Sequence, residues 1–254
     1  MALFTDGPPS SIEQLTTLDS QLLTIASSEG IDVTRKLELA QEELALDLQA
    51  LLQRAGRADG WMQAGSRQGL DHVVVTAALR LWHAYRTLEM TYSDAYNSQL
   101  NDRYQGKRDQ FHAIARSYRE RLLEAGVGIA SLPVPRAAAV LLQASPGSLP
   151  DNVYYVTAAW VNGAGEEGAS ANPETIATSS STFAAQLGQA PANIAGWNVY
   201  VGVDPYCMTL QNSLPLEAGA AWVQPVWIDT AGRKAGDGQA PSYVQALPRM
   251  MQRG

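Results

Sequence analysis

Cysteine and histidine are scarce in this chain, which has one cysteine, Cys207, and three histidines among 254 residues. A single cysteine excludes an internal disulfide framework and a zinc site built from several cysteines. The histidines, His72, His83 and His112, form no H-x-x-x-H pair and have no carboxylate at a recognised metal-binding spacing. We therefore expect no metal site.

Long apolar runs are also missing. No segment approaches the roughly 18–20 apolar residues that a membrane-spanning helix needs. Residues 1–9 contain neither the basic segment nor the apolar stretch of a secretory signal. These absences predict a protein that has no membrane partner and is made in a cytoplasm.

Basic residues are outnumbered, with 18 Lys and Arg against 25 Asp and Glu, for a formal charge of −7. Fourteen of the basic and 17 of the acidic residues lie at or before Arg136, so that part carries −3 and the remainder −4. Because neutralising phosphates requires clustered Lys and Arg, this composition argues against a general nucleic-acid binder. A charge-rich first part and a charge-poor second part are typical of a solvated helical domain followed by a β domain.

Motifs for catalysis or cofactor binding are absent or lack their structural context. Residues 163–168 match G-x-G-x-x-G, but no helical pattern follows, and Glu166 and Glu167 occupy positions that phosphates would need. We predict a hairpin turn there. Cys207 is distant in sequence from every histidine, and no G-x-S-x-G motif is present. We expect no catalytic residue and no cofactor.

The pattern of apolar residues changes near Pro133, before which it has helical spacing. Ser10 and Glu13 have the spacing of a capping box, so the first helix is predicted to begin there and to end at Gly30. Further helices are predicted over residues 32–56, 70–96 and 101–125, with a loop over residues 56–69 and a late start to the fourth helix at Gly106. The predicted apolar stripes include Leu15, Leu18, Leu22 and Ile25; Leu37, Leu44, Leu48 and Leu51; Leu70, Val74 and Leu81; and Phe111, Tyr118 and Leu122.

The second part reads as short strands separated by Gly, Pro, Asn and Ser turns. Strands are predicted over residues 137–144, 152–161, 175–178, 181–187, 197–203 and 221–228. The alternation is strongest where Trp197, Val199 and Val201 share one face. Several short strands of this kind favour a β-sandwich.

The sequence thus predicts an α+β protein with several domains. An antiparallel helical bundle is expected over residues 1–131, a Pro-rich linker over 132–136, and an immunoglobulin- or fibronectin-like β-sandwich over 137–231. Residues 232–254 are expected to form an extended C-terminal tail that becomes ordered only against a partner.

Two groups of residues are candidates for partner docking. The predicted fourth helix has a basic face, and the tail ends in Arg and Met side chains. These candidates are Arg103, Lys107, Arg108, Arg116, Arg119, Arg121, Arg249, Met250, Met251 and Arg253. The helix face is either a solvated surface whose long side chains cover their neighbours, or a docking surface for an acidic protein.

Two stretches resemble known proteins of tailed bacteriophages. Residues 79–85 (L-R-L-W-H-A-Y), 104–111 (Y-Q-G-K-R-D-Q-F) and 118–122 (Y-R-E-R-L) resemble head-to-tail adaptor, or neck, proteins, which have a late helix rich in Tyr and Arg. Residues 154–168 and 196–202 (G-W-N-V-Y-V-G) resemble the fibronectin type III/immunoglobulin-like modules of phage virion proteins.

The adaptor resemblance implies a non-enzymatic virion protein, assembled in the cytoplasm of the bacterial host. It implies a ring of identical subunits, commonly twelve, that sits under the portal protein and connects the DNA-filled capsid to a tail, nozzle or tail-terminator protein. It also implies that the C-terminal tail inserts between portal subunits, and it leaves open a non-specific contact with packaged DNA. Simple adaptors lack an appended sandwich, so decoration, tail docking and glycan binding all stay open for the β domain.

Other functions fit the same features. One alternative is a tail or baseplate component whose β-sandwich binds a host-surface glycan or a tail protein. Another is a bacterial adhesion or scaffolding module, which the missing export signal disfavours. The six tryptophans favour an assembly function over an enzyme, because large aromatic residues concentrate in interfaces as well as in cores.

Overall fold

The computed structural model describes residues 1–58, 69–99, 102–236 and 238–245. The chain contains α-helices and antiparallel β-sheets, which confirms the α+β class, and its contacts divide it into two units. The helical unit comprises Gly7–Ile129 and the segment that begins at Pro241. The β unit comprises Met1–Asp6 and Ala130–Ala240. The prediction divided the chain into successive domains, whereas each unit combines segments that are distant in sequence.

The regular elements of the described residues are as follows. The helices are α1 (Ile12–Leu18), α2 (Leu22–Glu29), α3 (Val33–Ala58), α4 (Ala77–Gln99) and α5 (Gln105–Ala125). The strands are β1 (Val127–Ile129), β2 (Leu141–Pro146), β3 (Asn152–Asn162), β4 (Glu174–Thr178), β5 (Ser181–Gln186), β6 (Ile194–Gly202), β7 (Thr209–Leu210), β8 (Trp222–Val223) and β9 (Ser242–Val244).

The predicted first helix is in fact two helices. The Asp19 backbone is extended, and its carboxylate accepts a hydrogen bond from the Gln21 backbone N–H at 3.2 Å, which ends α1 one turn before α2 begins. The capping box also lies one residue later than predicted, because it is formed by Ser11 and Gln14. The hydroxyl of Ser10 instead contacts the buried imidazole of His83. Gly30 ends α2 in the left-handed conformation, as predicted.

The helical core is formed by one stripe from each helix. The buried side chains of this core include Leu15, Leu22, Ile25, Leu37, Leu88, Tyr92, Tyr104 and Phe111. Leu44, Leu48 and Leu51 continue the α3 stripe and are buried, as their spacing predicts. The predicted loop over residues 56–69 lies mostly outside the described residues.

The third predicted helix begins later than its apolar pattern suggests. Leu70 lies in a short 3-10 turn, and the Val74 backbone N–H donates to the Gly128 carbonyl at 2.9 Å. Thr76 then caps α4, its hydroxyl accepting from the Leu79 N–H at 3.4 Å. Leu70 and Val74 therefore precede α4, because backbone pairing with β1 replaces the helical hydrogen bonds.

Strand β1 also pairs with the last described strand of the chain. Its residues lie antiparallel to β9, with Val127 opposite Val244 and Ile129 opposite Ser242. A Cβ on Gly128 would lie 2.8 Å from both Pro241 Cβ and Thr76 Cγ2, so only glycine fits this crossing. Part of the predicted tail is thus a strand of the helical unit, paired with β1 in a two-stranded sheet.

Two antiparallel sheets share one hydrophobic core in the β unit. The first sheet has the order β2-β5-β8 and the second the order β4-β3-β6-β7. Trp160 on β3 lies opposite Trp197 on β6, and both indoles are buried. Phe183 reaches the same core from the first sheet. This core contains Tyr154, Val156, Ala158 and Trp160, which the alternation of β3 places on one face.

The second face of the larger sheet is covered by residues that were predicted to be tail. Ala159, Tyr200 and Met208 form a separate cluster, against which Ala235 packs. Arg233 forms an ion pair with Glu167 at 2.6 Å. Arg233 and Ala235, which were predicted to lie in the tail, are therefore part of the β unit. They cover a face of the larger sheet that would otherwise expose large side chains.

Two predicted strands are misplaced. The strand predicted at 137–144 occupies Leu141–Pro146, and Ala137 and Val140 instead enter the core from an irregular segment. The strand predicted at 221–228 is limited to Trp222–Val223. Pro225 has no N–H for a ladder, and the Gln224 side chain bonds to the Trp227 carbonyl at 2.9 Å, so this segment turns away from the sheet.

Candidate partner-binding surface

The basic residues of the predicted fourth helix lie on α5 and on the 3-10 turn before it, and most of them cover aromatic rings. Arg108 lies 4.4 Å from the centre of the Tyr96 ring, and Arg121 lies 5.2 Å from that of Tyr118. Similar contacts join Arg103 to Tyr104, Lys107 to Phe111 and Arg119 to Trp82. Each contact contributes about 0.5–1 kcal/mol at an exposed site and fixes the position of a cation.

Carboxylates of the same unit balance much of this positive charge. Lys107 lies 3.5 Å from the buried Asp19, and Arg108 lies 2.8 Å from Asp109. Arg116, which lies over no ring in the described structure, pairs with Glu120 at 3.0 Å on an exposed part of α5. The face therefore carries both positive and negative charges, which supports the interpretation of a solvated surface. If the face binds a protein, that partner should present both basic and acidic side chains.

Arg119 connects three helices. Its Nε donates to Asp47 of α3 at 2.8 Å, and its guanidinium lies 6.0 Å from the Trp82 ring of α4. The hydrogen bond that Arg119 donates to the Asp47 carboxylate raises the pKa of Arg119. Because the three helices meet here, Arg119 forms one wall of a groove.

The groove has a volume of about 240 Å³ and lies within the helical unit. Its lining residues are Asp47, Leu48, Leu51, Arg54, Trp82, Arg119, Leu122, Leu123 and Glu124. The deeper residues are apolar, and the charged side chains occupy the edge. Sequence reasoning treated Leu48 and Leu51 only as core, because periodicity does not distinguish a filled helix interface from an open one.

A second candidate surface consists of exposed apolar side chains in two loops of the β unit, and sequence reasoning missed it. Tyr206 is 88% exposed between β6 and β7, and Trp227 is 71% exposed in the segment after β8. Val203 and Val226 are exposed beside them in sequence. The Thr209 hydroxyl of β7 donates to the Asp229 carbonyl at 2.5 Å, which ties the segment after β8 to the strand that follows the Tyr206 loop. Pro225 was the available signal that Trp227 follows a strand and does not belong to one.

His83 and Ser10 are within hydrogen-bonding distance but form no reactive site. Ser10 Oγ lies 2.6 Å from His83 Nδ1, and His83 Nε2 lies 3.0 Å from the Leu37 carbonyl. Burial lowers the pKa of His83 to about 4, although the bond to Leu37 opposes that effect. Both side chains are buried, so this pair is a packing contact with satisfied polar atoms.

Residues 163–168 form the predicted hairpin turn. The Gly165 N–H donates to the Asn162 carbonyl at 3.0 Å, and Val161 bridges to Glu167. The Glu166 side chain accepts hydrogen bonds from Asn162 and Gln239, each at 2.9 Å. Since no helix follows and this carboxylate is bound within the β unit, the glycines are explained by the turn.

The other candidate residues are the cysteine, the potential metal ligands and the Arg and Met side chains of the C-terminal segment. Cys207 is exposed and accepts a hydrogen bond from Lys234 at 3.7 Å. The described part of the chain contains no cluster of three His, Cys, Asp or Glu side chains that could hold a metal ion. Arg249, Met250, Met251 and Arg253 lie outside the described residues.

Comparison with known proteins identifies no relative. No protein-family model, curated protein or solved structure matches the chain significantly. Among the helices of the described residues, none is both long and apolar enough to span a membrane. Function must therefore be inferred from the residues and contacts above.

Proposed function

We propose that the chain is a structural head-to-tail adaptor of a tailed bacteriophage, located in the virion neck. In this function it forms a ring of about twelve copies under the portal protein and joins the capsid to a tail, nozzle or tail-terminator protein. The inner wall of the ring would be the place for any non-specific contact with packaged DNA. The proposal treats the helical unit as the adaptor domain and the β unit as an immunoglobulin- or fibronectin-like module.

The observation that carries this proposal is the row of cations fixed over aromatic rings along α5. Arg and aromatic side chains are enriched in protein interfaces, and a stacked guanidinium loses little further freedom on binding. The paired carboxylates provide both signs of charge, which can fix the register of a contact between neighbouring copies of one chain. Arg121, which lies over the Tyr118 ring, is a direct candidate because it is exposed on the surface of α5.

Assembly with the portal protein tests the proposal. The full chain, mixed with portal rings, should form a complex containing about a dozen copies, measured by mass photometry. Arg121→Gln should weaken ring formation, whereas Arg35→Gln, which changes an exposed arginine of α3, should not. A chain that stays monomeric with portal rings, or equal effects of the two variants, would contradict the proposal.

The exposed loops of the β unit favour a second candidate function. Tyr206 and Trp227 present aromatic faces to solvent, which suits stacking against a sugar ring in a tail or baseplate component. Binding of the full chain to host-surface glycans should then be lost in Trp227→Ala and kept in Leu214→Ala, another exposed apolar residue of the β unit. Glycan binding without portal binding would select this alternative.

A further inference from the structure

The groove between α3, α4 and α5 lies beside the last described residue of the chain. Strand β9 ends at Val244, which is paired with Val127. The next residue, Gln245, donates a hydrogen bond from its side-chain amide to the carbonyl of Glu124 at 3.0 Å. Glu124 is itself part of the groove lining. The chain is therefore fixed at the edge of the groove before residues 246–254 begin.

The groove combines an apolar floor with charged groups of both signs at its edge. Leu48, Leu51 and Leu122 form the floor together with the Trp82 ring. The edge carries two carboxylates, Asp47 and Glu124, and two guanidiniums, Arg54 and Arg119, of which Arg119 pairs with Asp47. Because the edge holds both signs of charge, the apolar floor decides the fit, and a suitable ligand would bring flexible apolar side chains to it.

Residues 246–254 have this composition. The sequence A-L-P-R-M-M-Q-R-G contains two adjacent methionines between Arg249 and Arg253. Methionine adapts to irregular apolar surfaces because its side chain is unbranched and flexible. Met250 is the fifth residue after Gln245 and can lie up to about 17 Å from it, which is enough to reach the groove floor from the edge.

We propose that the groove binds residues 246–254 of the same chain, with Met250 or Met251 on the apolar floor. This contact within one chain does not depend on the adaptor function. Its consequence is competition, because any partner that uses these C-terminal residues must first remove them from the groove.

Disulfide trapping in the full chain tests where the segment binds. In a Cys207→Ser background, Leu123→Cys should form a disulfide with Met250→Cys, which requires Cα atoms within about 7 Å. Leu46→Cys with Met250→Cys is the control, since Leu46 lies on α3, is 70% exposed and does not line the groove. The first pair should react at least about tenfold faster and give a cross-linked monomer.

Two outcomes would overturn the proposal. Equal rates for the two pairs would show that the segment does not favour the groove. A cross-linked dimer whose yield rises with protein concentration would show that the occupant is the segment of a second copy.

Peptide binding provides a readout that does not depend on introduced cysteines. A labelled peptide of residues 246–254 should bind the chain that ends at Gln245, measured by fluorescence anisotropy. It should bind the full chain about tenfold more weakly, because the tethered segment competes at an effective concentration near millimolar. Leu123→Arg should weaken peptide binding and Leu46→Arg should not. Equal affinity for the full and shortened chains, or no binding to either, would refute occupation by the same chain.

Discussion

Lowering the pH from about 7.5 to about 5 should destabilise the helical unit by about 2 kcal/mol through His83 alone. The imidazole is fully buried between Ser10 and the Leu37 carbonyl. Burial lowers its pKa from 6.5 to about 4, because the charged form would lose its hydration. Above pH 6.5 the imidazole is neutral in both states and contributes no pH dependence.

The sign follows from which state binds the proton. Between pH 6.5 and about 4 the unfolded chain protonates His83 while the folded chain does not, so stability is lost as the pH falls through this window. The full loss is about 3 kcal/mol once the pH is below the folded pKa. At about pH 5 most of that loss has already occurred.

Urea unfolding followed by the helical circular-dichroism signal measures this effect. With an m-value of about 2 kcal/mol/M, the midpoint should fall by about 1 M from this residue. His83→Gln keeps a hydrogen-bond acceptor for Ser10 and a donor for Leu37, and should remove that part of the pH dependence. His112→Gln changes a largely exposed imidazole and should keep it. Equal pH dependence in wild type and His83→Gln would refute the reasoning.

Four further changes test the packing. Trp197→Ala should destabilise the β unit by about 3–5 kcal/mol, because its ring is fully buried and its Nε1 donates to the Glu217 carbonyl, and an unchanged urea midpoint would contradict this. Gly128→Ala should destabilise the helical unit by about 1–3 kcal/mol, since its Cβ would lie 2.8 Å from Pro241. Gly106→Ala adds a Cβ that meets nothing within 4 Å, so it should stabilise the same unit by up to about 1 kcal/mol. If the two glycine variants changed the free energy of unfolding in the same direction, the contacts described would be contradicted. Ending the chain at Ala240 removes β9 and should lower the calorimetric Tm of the helical unit more than ending it at Gln245 does; equal Tm values would show that β9 is dispensable.

Periodicity predicted the parts of the fold in which neighbouring residues decide the structure. The α3 stripe and the inward face of β3 are buried as their spacing indicated. The break between α1 and α2 was missed because it depends on Asp19, whose carboxylate is held by the Tyr92 hydroxyl. Tyr92 lies 73 residues away in sequence, and no local pattern reports such a partner.

The candidate surface was predictable in composition but not in arrangement. The sequence identified the cations of the fourth helix, and the structure places most of them over rings or beside carboxylates of the same unit. Those partners include Asp19, which follows α1, and Asp47 of α3. Tyr206 and Trp227 were missed because an aromatic residue near a predicted strand is normally expected to enter the core.

The route of the chain between the two units determines which fragments can be studied. Gln239 lies outside the predicted sandwich of residues 137–231, yet its side chain accepts from the Val134 N–H at 2.7 Å and donates to Glu166 at 2.9 Å. Its carbonyl also accepts from the N-terminal amine of Met1 at 3.0 Å. A fragment cut at the predicted boundaries would lose these contacts and the cover over Tyr200. Failure of such a fragment to bind a glycan would therefore report lost folding, which is why the glycan and portal experiments require the full chain.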